Sequence, residues 1–137
     1  MRLLIWHVDS FRAEPTERGR SKVADSEPKA VAVSDALVVF AAAEKQDKAD
    51  PDSVEERATE TIEDVARQLG ARTVVLHSFA HLFVELSSPA TARAILNALE
   101  QRLAAGGYTV SQSAFGWFNR LELHAKGHPL SRVARQV

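Results

Sequence analysis

The sequence predicts a single α/β domain, and three observations predict it. The short runs "RLLIWHV", "ALVVFAAA" and "RTVVLHSF" are rich in apolar and β-branched residues, lie between polar segments, and read as buried strands. Two longer stretches carry apolar residues at helical spacing, each opened by a capping residue before proline and closed by glycine. No internal repeat, low-complexity stretch or domain boundary interrupts the chain, so residues 1–137 form one unit, long enough to bury a core without disulfides or metal.

Taken in order, "MRLLIWHVDS" opens the chain with a first buried strand. Its apolar stretch is too short for a signal peptide and runs into His7 and Asp9. Residues 9–34 are polar, with Pro15, Gly19 and Pro28, and a strand or hairpin is expected around Ser21–Val33. "ALVVFAAA" is the second buried strand. Asp50-Pro51 then supplies an N-cap and a proline at the first helical position; Val54, Ala58, Ile62, Val65, Ala66 and Leu69 mark one face, and Gly70 ends the helix. "RTVVLHSF" follows, so strand, helix and strand suggest a crossover unit, right-handed if the strands are parallel. "AHLFVEL" reads as a short helical turn opened by Ala80-His81. Ser88-Pro89 starts the second helix, with Ala92, Ile95, Leu96, Leu99 and Leu103 as its stripe and Gly106-Gly107 as its stop. "YTVSQSAF" and "WFNRLELHA" come last as strands.

Composition removes several kinds of function. With no cysteine there is no disulfide scaffold, thiolate metal site or cysteine nucleophile, which fits a cytoplasmic protein. No apolar run approaches the roughly 18 residues that span a bilayer, so no membrane partner is expected. A net charge of −1 argues against nonspecific adhesion to nucleic acid. The charge is uneven, however: residues 44–64 are strongly acidic, whereas 118–137 hold Arg120, Lys126, Arg132 and Arg135 against Glu122 alone. A polyanion should approach the C-terminal side.

The residues that carry chemistry are sparse. His7, His77, His81, His124 and His128 form no recognised metal motif and read as separate polar or capping histidines; no metal is expected. Ser78, Ser87, Ser88, Ser111 and Ser113 lie in no nucleophile elbow, and no phosphate-cradling glycine loop is present. Glu44, Glu85 and Glu122 are isolated carboxylates. Two stretches stand out. "HSFAHL" places His81 just beyond the C-terminal end of a buried strand, where open α/β sheets bind ligands, although a turn-capping role fits as well. "FGWF" sets Gly116 between bulky rings, marking either a bulge, a place where a ligand lies against the backbone, or plain core packing. Lys126-Gly-His-Pro is a turn whose cationic groups could meet phosphate. The residues alone give a ligand-binding α/β domain.

These stretches, in this order, resemble the N-terminal editing domain of archaeal threonyl-tRNA synthetases. The resemblance rests on "MRLLIWHVDS", "AAAEKQD", "FAHLFVELSSP" with "ATARAILNAL", and "FGWFNRLELHAKGHPLSRVAR", and covers essentially the whole chain. It implies a fold like that of D-aminoacyl-tRNA deacylases, with a mixed β-sheet and two main helices, and a homodimer. It also implies hydrolysis of serine mischarged on threonine tRNA, without a cofactor, in concert with synthetase catalytic and anticodon-binding regions in the same or a separate chain. The partner would be the 3′ end of aminoacyl-tRNA(Thr).

Carried over residue by residue, the resemblance has Ala43 and Glu44 lining the pocket, Phe79, Ala80 and His81 near the aminoacyl adenosine, and Phe115, Gly116, Trp117 and Phe118 as the opposite wall. Lys126, His128 and Arg132 would support the RNA end. Two departures matter. The family's tyrosine-lysine pair is Phe118-Asn119 here, and Arg132 stands where a glutamate is often found. A lysine base therefore has no place in this chain. The implied mechanism is RNA-assisted: water held by backbone amides and the terminal 2′-hydroxyl attacks an activated ester, with His81 and Asn119 in supporting roles. Asn119 either positions water or ribose or is a strand-edge residue. The competing readings are a D-aminoacyl-tRNA deacylase and a non-catalytic tRNA-binding or dimerisation module.

Overall fold

The first strand is more than twice as long as its apolar run. In the computed structural model, which describes residues 1–82 and 85–137, β1 spans Arg2–Arg18. It is followed by β2 (Val31–Ala42), α1 (Pro51–Leu69), β3 (Thr73–Ser78), α2 (Pro89–Ala105), β4 (Thr109–Gln112), β5 (Trp117–Ala125) and β6 (Arg132–Gln136). Short 3-10 turns occupy Lys45–Ala49 and Ala80–Leu82. The latter is the turn expected from "AHLFVEL"; Phe83 and Val84 of that stretch lie outside the described residues.

The six strands form one mixed sheet in the order β4-β3-β2-β1-β5, with β6 also pairing to β1. β1 is antiparallel to β2, β5 and β6, while β2, β3 and β4 are mutually parallel. The two parallel steps are the crossover units containing α1 and α2. Both helices end as their residues dictate. Asp50 Oδ1 accepts from the Ser53 N–H at 3.2 Å, Ser88 Oγ accepts from the Thr91 N–H at 3.1 Å, and Gly70 closes α1 in the left-handed region at φ 65°. The helices cover one face of the sheet, where Leu3, Ile5, Leu37, Val39, Val74 and Leu76 meet Ile62, Ile95, Leu99 and Leu103.

The strand or hairpin expected around Ser21–Val33 is strand only at Val31–Val33, where β2 begins, and no hairpin forms within that stretch. β1 continues to Arg18, the chain turns through residues 19–30, and β2 begins at Val31. The reason is cross-strand pairing: Phe11 lies opposite Val33 and Ala13 opposite Val31, so ladder hydrogen bonds support segments with too few apolar residues to declare themselves. The register of β1 against β5 shifts between Val8 and Ser10 and again between Pro15 and Glu17. The first shift is a bulge at Asp9. It changes the parity of the alternation, so Leu4, Trp6 and Val8 share a face with Phe11 and Ala13.

That bulge also bends the sheet. Phe11 pairs with Val33 and His77 pairs with Phe40, positions seven residues apart on β2 and about 23 Å apart along a flat strand. Yet the Phe11 and His77 rings lie with centroids 6.4 Å apart. The sheet therefore curls over its helix-free face, and a second core of Val8, Phe11, Ala36, Val38, Phe40 and Val75 fills the curl.

Candidate active site

Parallel pairing puts the C-terminal ends of β2 and β3 side by side, with Ala41 opposite Ser78. The Phe79 N–H donates to Ala41 O and the Ser87 N–H to Ala43 O, both at 2.9 Å, which ties the segments beyond β3 to the end of β2. The methyl side chains of Ala41, Ala42 and Ala43 leave room above them. The curled half of the sheet supplies the far wall, and between the two lies a cavity of about 370 Å³.

The far wall is the "FGWFN" segment, fastened from behind. Asp25 Oδ2 accepts from the Phe115 N–H at 2.8 Å, and the Trp117 indole N–H donates to Asp25 O at 2.9 Å. Arg93 pairs with Asp25 Oδ1 at 2.6 Å and lies over the Phe115 ring. Gly116, at φ 74°, packs so closely that a Cβ would come 2.6 Å from Ala24 Cβ. Its glycine serves close approach by the chain's own Ser21 and Ala24. Of the residues expected in the site, Ala43, Phe79, Ala80, His81, Phe115, Gly116, Trp117, Phe118 and Asn119 all line this cavity. His81 is exposed and stands edge-on to Phe79, and Phe118 is 58% exposed.

Three polar groups inside the cavity stand out. His77 is buried at 5% exposure, and its Nδ1 is 2.6 Å from the equally buried Ser113 Oγ. Burial lowers its pKa to about 4, so the ring is neutral near neutral pH. Asn119 Nδ2 donates to Ala114 O at 3.2 Å and to Trp117 O at 3.0 Å. That leaves Asn119 Oδ1 buried without a partner among the described residues, and Ser87 Oγ is in the same position. Among the described residues lining the cavity there is no carboxylate, lysine or tyrosine.

The whole chain, residues 1–137, matches the family model of the archaea-specific editing domain of threonyl-tRNA synthetase. This chain belongs to that family. It is 43% identical to a threonine–tRNA ligase from Methanopyrus kandleri, 38% to one from Methanococcus maripaludis strain C7 and 35% to one from Thermococcus kodakarensis. Each alignment covers 100% of the chain, which spans 22% of the length of each relative. Among solved structures, a c-Myc DNA unwinding element binding protein superposes with a TM-score of 0.69 at 11% identity, covering 100% of this chain and 99% of that one. At that identity the likeness speaks for the fold alone. The expected fold, one α/β domain with a mixed sheet and two main helices, is the fold observed.

Four residues expected in the site of this editing domain stand outside the cavity. Glu44 turns away from it: Oε1 accepts from Arg2 Nε at 3.0 Å, and Oε2 lies 3.2 Å from the N-terminal amine, which also donates to Asp47. Burial alone would raise its pKa, but Arg2 and the amine outweigh burial and hold it low. Lys126 donates to Asp9 at 2.7 Å and pairs with Asp35 at 3.1 Å. His128 Nε2 is 3.0 Å from His7 Nδ1. This cluster gathers around Asp35 near the middle of β2, six residues and about 20 Å along the strand from Ala41. Arg132 lies over the Trp6 ring at 5.3 Å. Backbone pairing explains the cluster, because the Lys126 N–H donates to His7 O and draws the turn onto the middle of β1.

Sequence reasoning missed His77, Ser113, Ser87 and Asp25. His77 alone carried a hint, two residues before "FAHL" on a buried strand. Among the described residues no group of three or more His, Cys, Asp or Glu could hold a metal, and no helix is long and apolar enough to cross a membrane.

Proposed function

We propose that this domain hydrolyses the ester of L-serine mischarged on tRNA(Thr). The attacking water is held by peptide N–H groups and by the 2′-hydroxyl of the terminal adenosine, and no cofactor takes part. The observation that carries this reading is the cavity's composition. It sits at the ends of two parallel strands, is walled by the family's own segments, and its described lining offers no carboxylate or lysine to act as a base. His77, with a pKa near 4, is a poor proton acceptor at neutral pH. An aminoacyl ester needs less than an amide does, so positioning can suffice. The role suits the selectivity problem: one methyl group separates threonine from serine, worth about 1–3 kcal/mol, and a second sieve that admits the smaller amino acid multiplies that discrimination. The same reading expects a cytoplasmic homodimer that meets the 3′ end of tRNA(Thr) alongside synthetase regions.

The test is deacylation of matched seryl- and threonyl-tRNA(Thr) by this domain. Serine should be released and threonine retained, and a terminal 2′-deoxyadenosine should abolish turnover. Full activity on the deoxy substrate would remove the RNA from the mechanism. Faster release of D-amino acids than of L-serine would make the domain a D-aminoacyl-tRNA deacylase, and binding without turnover would make it a tRNA-binding module.

A further inference from the structure

Two side chains in the cavity have their hydrogen-bonding sense fixed by the protein behind them. The first is His77. Ser113 Oγ is buried, and among the described residues His77 Nδ1 is its one side-chain partner. A buried hydroxyl proton has to be given to an acceptor, and Nδ1 is the acceptor within reach. Nδ1 therefore accepts, the ring proton resides on Nε2, and the neutral imidazole offers the cavity a donor. Its low pKa keeps this tautomer from becoming a doubly protonated cation near neutral pH.

The second is Asn119. Two carbonyls, Ala114 O and Trp117 O, hold the amide nitrogen. A flipped amide would set Oδ1 against both of them, so the orientation is determined by the network. Oδ1 is the end left over, a buried acceptor with no partner among the described residues. Ser87 Oγ is also unpartnered, but a hydroxyl rotates to give or take and so selects nothing by itself.

Resting on the editing reading, we infer that His77 and Asn119 together recognise the aminoacyl group: His77 Nε2–H donates to its carbonyl oxygen, and Asn119 Oδ1 accepts from its α-ammonium. An α-aminoacyl ester presents an acceptor and a charged donor on adjacent carbons, and a fixed donor on β3 with a fixed acceptor on the far wall of the same cavity supplies the complementary pair. A charge-assisted bond to an otherwise orphaned buried acceptor is among the stronger neutral-to-ion contacts available.

The experiment is a titration of 3′-(L-seryl)amino-3′-deoxyadenosine, an amide that resists hydrolysis, followed by calorimetry and by imidazole ¹⁵N spectra. The unliganded protein should show His77 as the neutral Nε2–H tautomer, with its Nε2–H resonance moving on binding. His77→Phe should weaken binding about tenfold, and Ser113→Ala by less. Asn119→Leu should weaken the seryl compound about tenfold but leave unchanged the 3-hydroxypropanoyl analogue, which lacks the ammonium. Unchanged affinity in a folded His77→Phe, equal losses for both analogues in Asn119→Leu, or no binding by the unaltered protein at millimolar ligand would each overturn the inference. Seryl-tRNA(Thr) hydrolysis with unaltered analogue affinities sinks the recognition pair alone and leaves editing standing. Ligand binding that depends on both residues, without hydrolysis, retires editing and upholds the pair.

Discussion

Gly19 and Gly116 meet backbone to backbone: the Gly19 N–H donates to Gly116 O at 2.8 Å, and a Cβ on Gly19 would lie 2.6 Å from that same oxygen. This contact fixes the distance between the end of β1 and the far wall of the cavity. Gly116 sits at φ 74° with Ala24 against it, whereas Gly70 sits at φ 65° with open space around it. Gly70→Ala should cost about 1–2 kcal/mol for the left-handed backbone alone. Gly116→Ala should cost that plus about 1–3 kcal/mol for overpacking, and should impair the proposed hydrolysis as well. Urea denaturation of the two variants separates the terms, and equal losses would show that Ala24 yields freely.

Asp25 joins three parts of the wall. Asp25→Ala removes the acceptor of the Phe115 N–H and the partner of Arg93, so a stability loss of about 1–3 kcal/mol is expected from the groups left unpaired. The proposed hydrolysis should fall with it, because the wall loses its fixing point. A variant with normal stability and normal turnover would contradict this role.

His77 makes stability depend on pH in a defined window. Its folded pKa, about 4, is below the ordinary 6.5, so the unfolded chain binds the proton more readily. The contribution is fully present above pH 6.5 and is lost as pH falls toward 4, by about 3 kcal/mol in all. Subtracting the pH profile of His77→Gln from that of the unaltered protein isolates this group. A flat difference across the window would show that the ring is not buried as described.

Asn119→Asp tests the orientation of the amide directly. The replacement sets a carboxylate oxygen against Ala114 O and Trp117 O, where an N–H stood. At neutral pH this should cost about 1–3 kcal/mol, relieved at acid pH when the carboxyl regains a proton to donate. Chemical denaturation at two pH values checks it, and a neutral result would mean the amide is oriented the other way.

Much of this arrangement was legible in the residues. The caps at Asp50, Gly70 and Ser88 define both helices, because capping is local chemistry. The segments walling the cavity were legible through the family's motifs. What escaped was long-range. β1 hid its second half because the bulge at Asp9 shifts its alternation, and β6 hid because only Val133 of its five residues is buried. His77 and Ser113 meet across 36 positions and Asp25 and Phe115 across 90, distances over which no local period exists. Glu44 was misplaced because its side chain answers to the chain's first two residues rather than to its neighbours.

The extra residue at Asp9 has a mechanical meaning. One strand forms the helix-backed floor in its first half and the overhang in its second, so floor and roof are a single covalent piece bent once. The gap between them is set by a hinge one residue wide and then latched where Gly19 meets Gly116. Losing that one residue would turn the overhang inside out, facing Phe11 and Ala13 to water.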